Sequence, residues 1–364
     1  MKILFLVSSL NAGGAERVAC TLANAWVAKG YEVTLVPCFT QGTGKSFYTL
    51  DERIKVHWLS QSLPKQKWLA RLLKPLVLRR LMKETKADVA LSFLTNVNVM
   101  ALLAKCGLRL PLIVSERSDP RFQKISSSLK FLRRRLYPSA SAVVLQTENA
   151  ANQFQKDLPA CHNLHVIPNP LPHTLPQKEP NFAAGPILLA MGRLVESKQF
   201  DRLITIFSKV HRSHPDWHLH IYGEGQEEAH LEHLVIEKGL SKYIHLMGNT
   251  TTPWEVMRQA SLLAITSRLE GFPNVMLEGM ASGLPVIAYD CPSGPRELSQ
   301  EGKVARLIPL NNEGLFAEEL SRLMQDSEER KQLAIQGQEA VFARYSQEQV
   351  LRQWDHIFTV VKSQ

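Results

Sequence analysis

Residues 264–288 hold the densest set of side chains that could do chemistry. Glu270, Gly271, Phe272, Pro273, Asn274 and Val275 are followed by Glu278, and Gly283-Leu284-Pro285 leads into the next apolar run. A strand running into a Glu-Gly-Phe-Pro loop, with a helix starting near Asn274, leaves backbone N–H donors free at the helix start, where an anion such as phosphate is favoured. Glu270 in the loop and Glu278 about one turn into the helix would flank that anion and accept hydrogen bonds from vicinal hydroxyls of a sugar and of a ribose. The plainer reading is that Glu278 complements the helix dipole and Glu270 is a turn residue. A second anion position is offered by Gly13 and Gly14, in a turn that follows an apolar strand and opens a helix. Many such turns need glycine for geometry alone. The pattern is not G-x-G-x-x-G, so a dinucleotide is not indicated.

These residues need two α/β scaffolds to position them. The 364 residues, 45% apolar and 21% charged, suffice for two domains with their own cores, and this composition excludes a disordered chain. Short apolar runs alternate with helical patterns, the mark of βα units around parallel sheets. Strands are expected at 2–7, 32–37, 56–59, 89–93, 112–115 and 142–145, then at 187–191, 217–222, 244–247, 262–265, 285–288 and 304–308. The prolines Pro168, Pro170, Pro172 and Pro176 interrupt the alternation and mark a linker. The expected division is therefore 1–170, 171–345 and a terminal helix 346–364 packing back on the first domain. Two Rossmann-like domains of this kind would face each other across a central cleft at the carboxyl ends of their strands.

Charge is distributed unevenly. Residues 1–170 carry 24 Lys+Arg against 10 Asp+Glu, and residues 171–364 carry 19 against 24, so the first half accounts for all of the net +9. Eight basic residues lie at 65–86: Lys65, Lys67, Arg71, Lys74, Arg79, Arg80, Lys83 and Lys86, with Glu84 the single acid. The spacing predicts a helix broken or restarted at Pro75, with Leu69, Leu72, Leu73 and Leu76 opposite Lys67, Arg71 and Lys74, and Arg79, Lys83 and Lys86 opposite Val77, Leu78 and Leu81. Such a helix can lie on an anionic membrane, or dock on its own domain with a solvated basic face. Arg133-Arg134-Arg135, beside Lys130 and Phe131, adds to the basic character. Nucleic acid is not expected as a partner, because no RRM, KH, zinc-finger or helix-turn-helix signature accompanies the charge.

No apolar run is long enough for a transmembrane helix. The opening run after Lys2 is too short for a secretory signal, so the chain is expected to stay in the cytoplasm. Cys20, Cys38, Cys106, Cys161 and Cys291 are scattered and contain no C-x-x-C pair, as reduced thiols would be. Among the twelve histidines, His211, His214, His218, His220, His230 and His233 invite a metal hypothesis, but without an H-E-x-x-H pattern they read as surface residues.

Taken together, the loop-helix with Glu270 and Glu278, the Gly13-Gly14 turn, Gly192-Arg193-Leu194 with Lys198, Tyr222-Gly223-Glu224-Gly225 and the Ile167-Pro168-Asn169 hinge resemble family 4 of the retaining glycosyltransferases. The resemblance extends over essentially the whole chain and implies the GT-B fold. It further implies that Arg193 and Lys198 hold a donor diphosphate, that Glu278 binds ribose, and that Glu270 binds the sugar's ring hydroxyls opposite its reacting carbon. Backbone amides from Phe272 to Val275 would contact phosphate, those of Gly13 and Gly14 would lie near the diphosphate or acceptor, and Met247-Gly248-Asn249 would lie by a uridine base.

Many family members carry a histidine after the strand matching 112–115. Here Arg117 stands near that place, in Ser115-Glu116-Arg117-Ser118-Asp119. Donor contact, acceptor-phosphate contact and pairing with Glu116 or Asp119 are its open roles. With no Asp-x-Asp pair in the chain, no divalent cofactor is expected. The resemblance implies front-face transfer in which a donor phosphate oxygen takes the acceptor's proton, with no enzyme nucleophile. The expected partners are a UDP-sugar, a lipid-linked diphosphate glycan acceptor and the anionic inner face of a cell membrane; a UDP-sugar epimerase acting on soluble nucleotide sugar is the alternative.

Overall fold

The structure is a computed structural model that describes residues 1–11, 13–39, 44–118, 125–172, 175 and 185–363. The chain divides into two compact units, Met1–Pro172 with Gln347–Gln364, and His173–Ser346.

In the first unit the order is β1 (Lys2–Val7), α1 (Gly14–Ala28), β2 (Glu32–Pro37), β3 (Lys55–Val56), α2 (Lys67–Glu84), β4 (Val89–Phe93), α3 (Thr95–Lys105), β5 (Leu112–Ser115), α4 (Ser127–Leu136), β6 (Ala142–Leu145), α5 (Glu148–Asp157) and β7 (Leu164–Val166). The seven strands form a parallel sheet in the order β3-β2-β1-β4-β5-β6-β7. Helices cover both faces, so the central strands are apolar on both sides and stand out in sequence as unbroken runs. One face packs Ile3, Phe5, Val7, Leu91 and Phe93 against α1. The other packs Leu4, Leu6, Ala90, Leu112 and Val114 against α2 and α3.

The second unit runs β8 (Ile187–Met191), α6 (Phe200–Val210), β9 (His218–Tyr222), α7 (Glu228–Glu237), β10 (Ile244–Leu246), α8 (Pro253–Gln259), β11 (Leu262–Ile265), α9 (Asn274–Ala281), β12 (Val286–Asp290), α10 (Pro295–Leu298), β13 (Arg306–Pro309), α11 (Glu313–Gln325) and α12 (Ser327–Tyr345). Its parallel sheet has the order β10-β9-β8-β11-β12-β13. The closing helix α13 (Gln347–Lys362) returns to the first unit, where Trp354 and Phe358 meet Trp26 of α1 at ring separations of 6.1 and 5.4 Å and Asp355 pairs with Lys29.

Several expectations need correction. Helix α2 continues through Pro75. Proline removes one backbone donor, which leaves the Arg71 carbonyl on an exposed turn where water can satisfy it, while buried Leu78, Leu81 and Met82 hold the following turns. Leu72 and Leu76 do not form its inner face, being 67% and 61% exposed beside Trp68 at 67%. Strand β3 stops at Val56, and buried Leu59 instead opens a 3₁₀ turn, Leu59–Ser62. The reading as a break in the alternation also hid β7, which pairs with β6 at the sheet edge. Most of the polar stretch after Pro172, including Pro176, lies outside the described residues, as do Ala12 and Asp119.

Candidate functional site

Strand order in the second sheet reverses between β8 and β11, and open α/β sheets bind ligands at the carboxyl ends flanking such a reversal. Strand β8 passes into Gly192, Arg193 and Leu194 and a 3₁₀ turn, Glu196–Lys198. Strand β11 passes into the loop that carries Glu270 and then into α9. Backbone and hydroxyl hydrogen bonds join the two loops: the Arg268 N–H donates to the Ser197 carbonyl at 2.8 Å and the Thr266 hydroxyl to the Lys198 carbonyl at 3.0 Å. With the loops held this way, the Lys198 ammonium donates to Glu270 Oε1 at 2.6 Å, the two side chains being 22% and 11% exposed. On the other side, the Ser293 hydroxyl donates to the Gly271 carbonyl at 3.3 Å.

Helix α9 begins beyond Pro273 with no side-chain cap and no acid in its first turn, so its positive end has no carboxylate from that turn over it. Phe272 and Pro273 are buried, Asn274 and Val275 are half-buried, and Glu278 is buried one turn further on. The helix lies close against β11 because residue 279 is glycine; a Cβ there would stand 2.4 Å from Leu263 Cδ2. Gly294 is needed for a similar reason, since it has φ of +106° and a Cβ would stand 2.2 Å from Pro273 Cδ. Cys291 lies near the Lys198–Glu270 pair, and its thiol is pushed up to about 12, first by burial and then by the Glu270 carboxylate. Arg193 is exposed and makes no ion pair among the described residues. The resulting site places a cation, a carboxylate and an uncapped helix start side by side, an arrangement suited to a ligand carrying both phosphate and hydroxyl groups.

The glycines of Tyr222-Gly223-Glu224-Gly225 interlock with the β8 loop. A Cβ on Gly223 would lie 1.8 Å from the Gly192 carbonyl oxygen, and one on Gly225 would lie 2.2 Å from that of Leu194. The Gly192 and Leu194 N–H groups donate to the carbonyls of Tyr222 and Glu224 at 2.9 Å each, and the Gly223 N–H donates to that of Gly248 at 2.8 Å. This brings exposed Met247 and Asn249 to the same end of the sheet.

In the first unit the Gly13 end of the Gly13-Gly14 turn is engaged by neighbouring side chains. The Gly13 N–H donates to the Tyr48 oxygen at 3.2 Å, and the Glu16 carboxylate, held by the Ser9 hydroxyl at 2.8 Å, fills the space where a Gly13 Cβ would stand. The Gly13 N–H is thus spent on Tyr48.

Arg117 follows β5 and is 8% exposed, with its guanidinium over the Phe93 ring at 4.4 Å and Nη1 donating to the Ser115 hydroxyl at 3.4 Å. Its Nε and Nη2 have no partner among the described residues. Burial pushes the guanidinium down to about 9, so it still carries its charge at neutral pH. Neighbouring Glu116 turns to Tyr137, whose hydroxyl donates to it at 2.5 Å, and to the Thr95 hydroxyl at 2.8 Å. At the hinge, Asn169 is buried and accepts from Gln146 Nε2 at 2.9 Å.

The basic helix divides its charges between roles. Lys74 folds over the Phe39 ring at 4.3 Å, Arg79 donates to the Ala104 carbonyl at 2.9 Å and also to that of Cys106, and Arg80 pairs with Glu84 at 2.7 Å. Arg71 is exposed on the turns that carry Trp68, Leu72 and Leu76, and Lys83 is exposed about two turns further on; the side chain of Lys67 is outside the described set. Leu103 of α3 and Phe131 of α4 are also exposed apolar groups, at 42% and 57%, whereas Arg133 turns inward over Phe154. No helix among the described residues is long and apolar enough to cross a membrane. Not all of these histidines are plain surface residues: His211 is buried against Phe207, the His214 ring nitrogen lies 2.7 Å from the Ser321 hydroxyl, and His218 and His220 are half-buried on β9.

Residues 12–175 match the family model "Glycosyltransferase Family 4", and residues 173–340 match "Glycosyl transferases group 1". The chain is 30% identical over 344 residues to a Campylobacter jejuni enzyme named for transferring N-acetylgalactosamine to an undecaprenol diphosphate glycan, covering 92% of this chain and 91% of that one. It is 28% identical to the amylovoran biosynthesis glycosyltransferase AmsD of Erwinia amylovora over 98% of this chain and 99% of the relative. In fold it is similar to a sucrose-phosphate synthase of Thermosynechococcus elongatus, with TM-score 0.85 and 17% identity over 99% and 98% of the two chains. It is likewise similar to Anabaena HepE, solved with UDP, with TM-score 0.82 and 19% identity over 99% and 100%.

Proposed function

Because this chain belongs to the group 1 and family 4 glycosyltransferases of GT-B fold, we propose that it moves a hexose or N-acetylhexosamine from a UDP-sugar, with retention, to a polyprenyl-diphosphate-linked glycan at the cytoplasmic face of a membrane. The observation that carries this reading is the Lys198–Glu270 pair at the uncapped start of α9. When a nucleotide sugar binds, the Lys198 ammonium and Arg193 meet the diphosphate, together with the backbone N–H groups of Phe272 and Val275; Pro273 has none to offer and that of Asn274 is donated to the Phe272 carbonyl at 2.9 Å. Glu270 then accepts from the sugar's hydroxyls, and Glu278 from those of the ribose. Met247 lies at the base. As the bond to UDP breaks, negative charge grows on the departing phosphate, and preorganised cations and main-chain dipoles stabilise it. The acceptor hydroxyl attacks the same face of the sugar and passes its proton to that phosphate, so this chain supplies no nucleophile. Catalysis by this route needs no divalent ion.

For the acceptor, the names of the Campylobacter relatives, which act on undecaprenol diphosphate glycans, support a lipid-linked diphosphate. Arg117, a buried cation in the first unit whose Nε and Nη2 have no partner among the described residues, is suited to an anionic group of that kind. Trp68, Leu72 and Leu76, bordered by Arg71 and Lys83, support peripheral attachment, with apolar groups entering the interface and cations meeting acidic head groups. The test is incubation with a panel of UDP-sugars and synthetic diphospholipid glycans, products being read by mass. One sugar added to a diphospholipid is the expected result. Free epimerised sugar without transfer, or transfer only from another nucleotide's sugars, overturns the assignment.

A further inference from the structure

A second chemically equipped place lies on the sheet of the second unit, at the edge formed by β9 and β10. His218 and His220 alternate along β9, so both project from one face, and β10 brings His245 into register beside His220. Leu219 and Ile244 project from the opposite face into the hydrophobic core, which fixes the orientation of both strands. The three imidazoles are half-buried, and one nitrogen from each lies within 4.8 Å of the others. Ring centroids are 5.3 Å apart for His220 and His245, 5.7 Å for His218 and His245, and 6.4 Å for His218 and His220.

We infer that His218, His220 and His245 form a binding site for one divalent transition-metal ion of the zinc, cobalt or nickel class. Three imidazoles are a known zinc donor set, with Zn–N bonds of about 2.0–2.1 Å and a fourth position left for water. Closing the present spacing onto such an ion takes small side-chain rotations, because two paired strands already hold the three Cβ atoms on one surface. Imidazole-only sites suit the borderline ions and disfavour magnesium and calcium, which take oxygen ligands. The site shares no residue with the Lys198–Glu270 pair. Its strands do continue into Gly223 and Met247, so a bound ion ties edge strand β10 to β9 and holds the end of the sheet where those residues lie.

The test uses the full chain without a histidine tag, cleared of metal and titrated with cobalt(II) alone. Expected are one ion per chain, the visible absorption of tetrahedral cobalt, its displacement by zinc, and a rise in Tm on zinc addition. His220→Gln and His245→Gln should each weaken cobalt binding by about tenfold or more, while metal-free Tm stays near that of the parent. His230→Gln with His233→Gln should leave binding unchanged. The inference is overturned if the parent binds cobalt no better than the triple variant His218→Gln, His220→Gln, His245→Gln, or if the His230/His233 variant is the one that loses it.

Discussion

The Lys198 ammonium and the Glu270 carboxylate stand 2.6 Å apart although 72 positions separate them in sequence. They meet because the loops after β8 and β11 are joined by the Arg268–Ser197 and Thr266–Lys198 hydrogen bonds. A pair this sheltered leaves either partner unsatisfied when the other is removed. Each of Lys198→Ala and Glu270→Ala should therefore lower kcat/KM by about 10²–10³. The double variant should lose less than the product of the two single losses, because each single substitution also leaves its former partner unpaired. Steady-state transfer with UDP-sugar checks this, and effects that multiply would show that the two residues act separately.

Glycine positions give a prediction about stability. Gly223→Ala puts a methyl group 1.8 Å from the Gly192 oxygen at φ of +144°, and Gly225→Ala puts one 2.2 Å from the Leu194 oxygen. Backbone cannot yield as a flexible side chain does, so each should cost about 1–3 kcal/mol or more. Gly185→Ala meets nothing within 4 Å among the described residues and has no positive φ, so it serves as the neutral control. Thermal unfolding should show a lower Tm for the first two and no change for the third.

Thiol chemistry follows from burial. Burial pushes Cys38 up to about 12 and Cys20 and Cys161 up to about 11, and Cys291 is likewise raised to about 12. The thiolate is the reactive form, so raised values mean slow reaction at pH 8. Cys106 alone among the five is exposed. A disulfide reagent should titrate one thiol quickly in the native protein and five in denaturant. Rapid reaction of two or more native thiols contradicts this burial pattern.

How much of this was legible in the residues depends on range. Parallel strands buried on both faces read as apolar runs, so β1, β2, β4, β5, β6, β8 and β11 matched their expected bounds. Glu270, Glu278, Arg193 and Lys198 were visible as residue types on loops and a helix start. The contact between Lys198 and Glu270 was not, because it depends on which strands neighbour each other at the reversal in the sheet. Helix α2 misled for a different reason. Leucines occur around much of its circumference, and the face that docks is chosen by the surface offered by α3 and the sheet, which takes Leu78, Leu81 and Met82 and leaves Leu72 and Leu76 outside. His245 could not be grouped with His218 and His220 until strand register placed it there.

The exposed face of α2 makes the membrane reading testable. Trp68→Ser with Leu72→Ser removes apolar surface that is already outside the fold, so Tm should hold or rise. Binding to vesicles containing acidic phospholipid should fall by tenfold or more, since each buried CH₂ contributes about 0.8 kcal/mol. Arg71→Gln with Lys83→Gln should weaken binding most at low salt, where screening is least. Co-sedimentation across a salt series separates the two contributions, and undiminished binding by all four substitutions would place the contact elsewhere on the protein.

Arg117 carries the sharpest contrast between stability and activity. A buried guanidinium with two nitrogens unpartnered among the described residues costs stability, and a bound anion would offset that cost. Arg117→Met keeps much of the side chain's volume over the Phe93 ring while removing the charge. Its Tm should equal or exceed the parent's, while transfer to a diphospholipid acceptor should fall by about 10² or more. Lysine at this position keeps a charge but loses the planar fork, so Arg117→Lys should recover only part of the activity. A role in holding the fold predicts the reverse, a lower Tm with transfer retained by the folded fraction. Measuring both quantities on the same preparations decides between an anion ligand and a structural arginine.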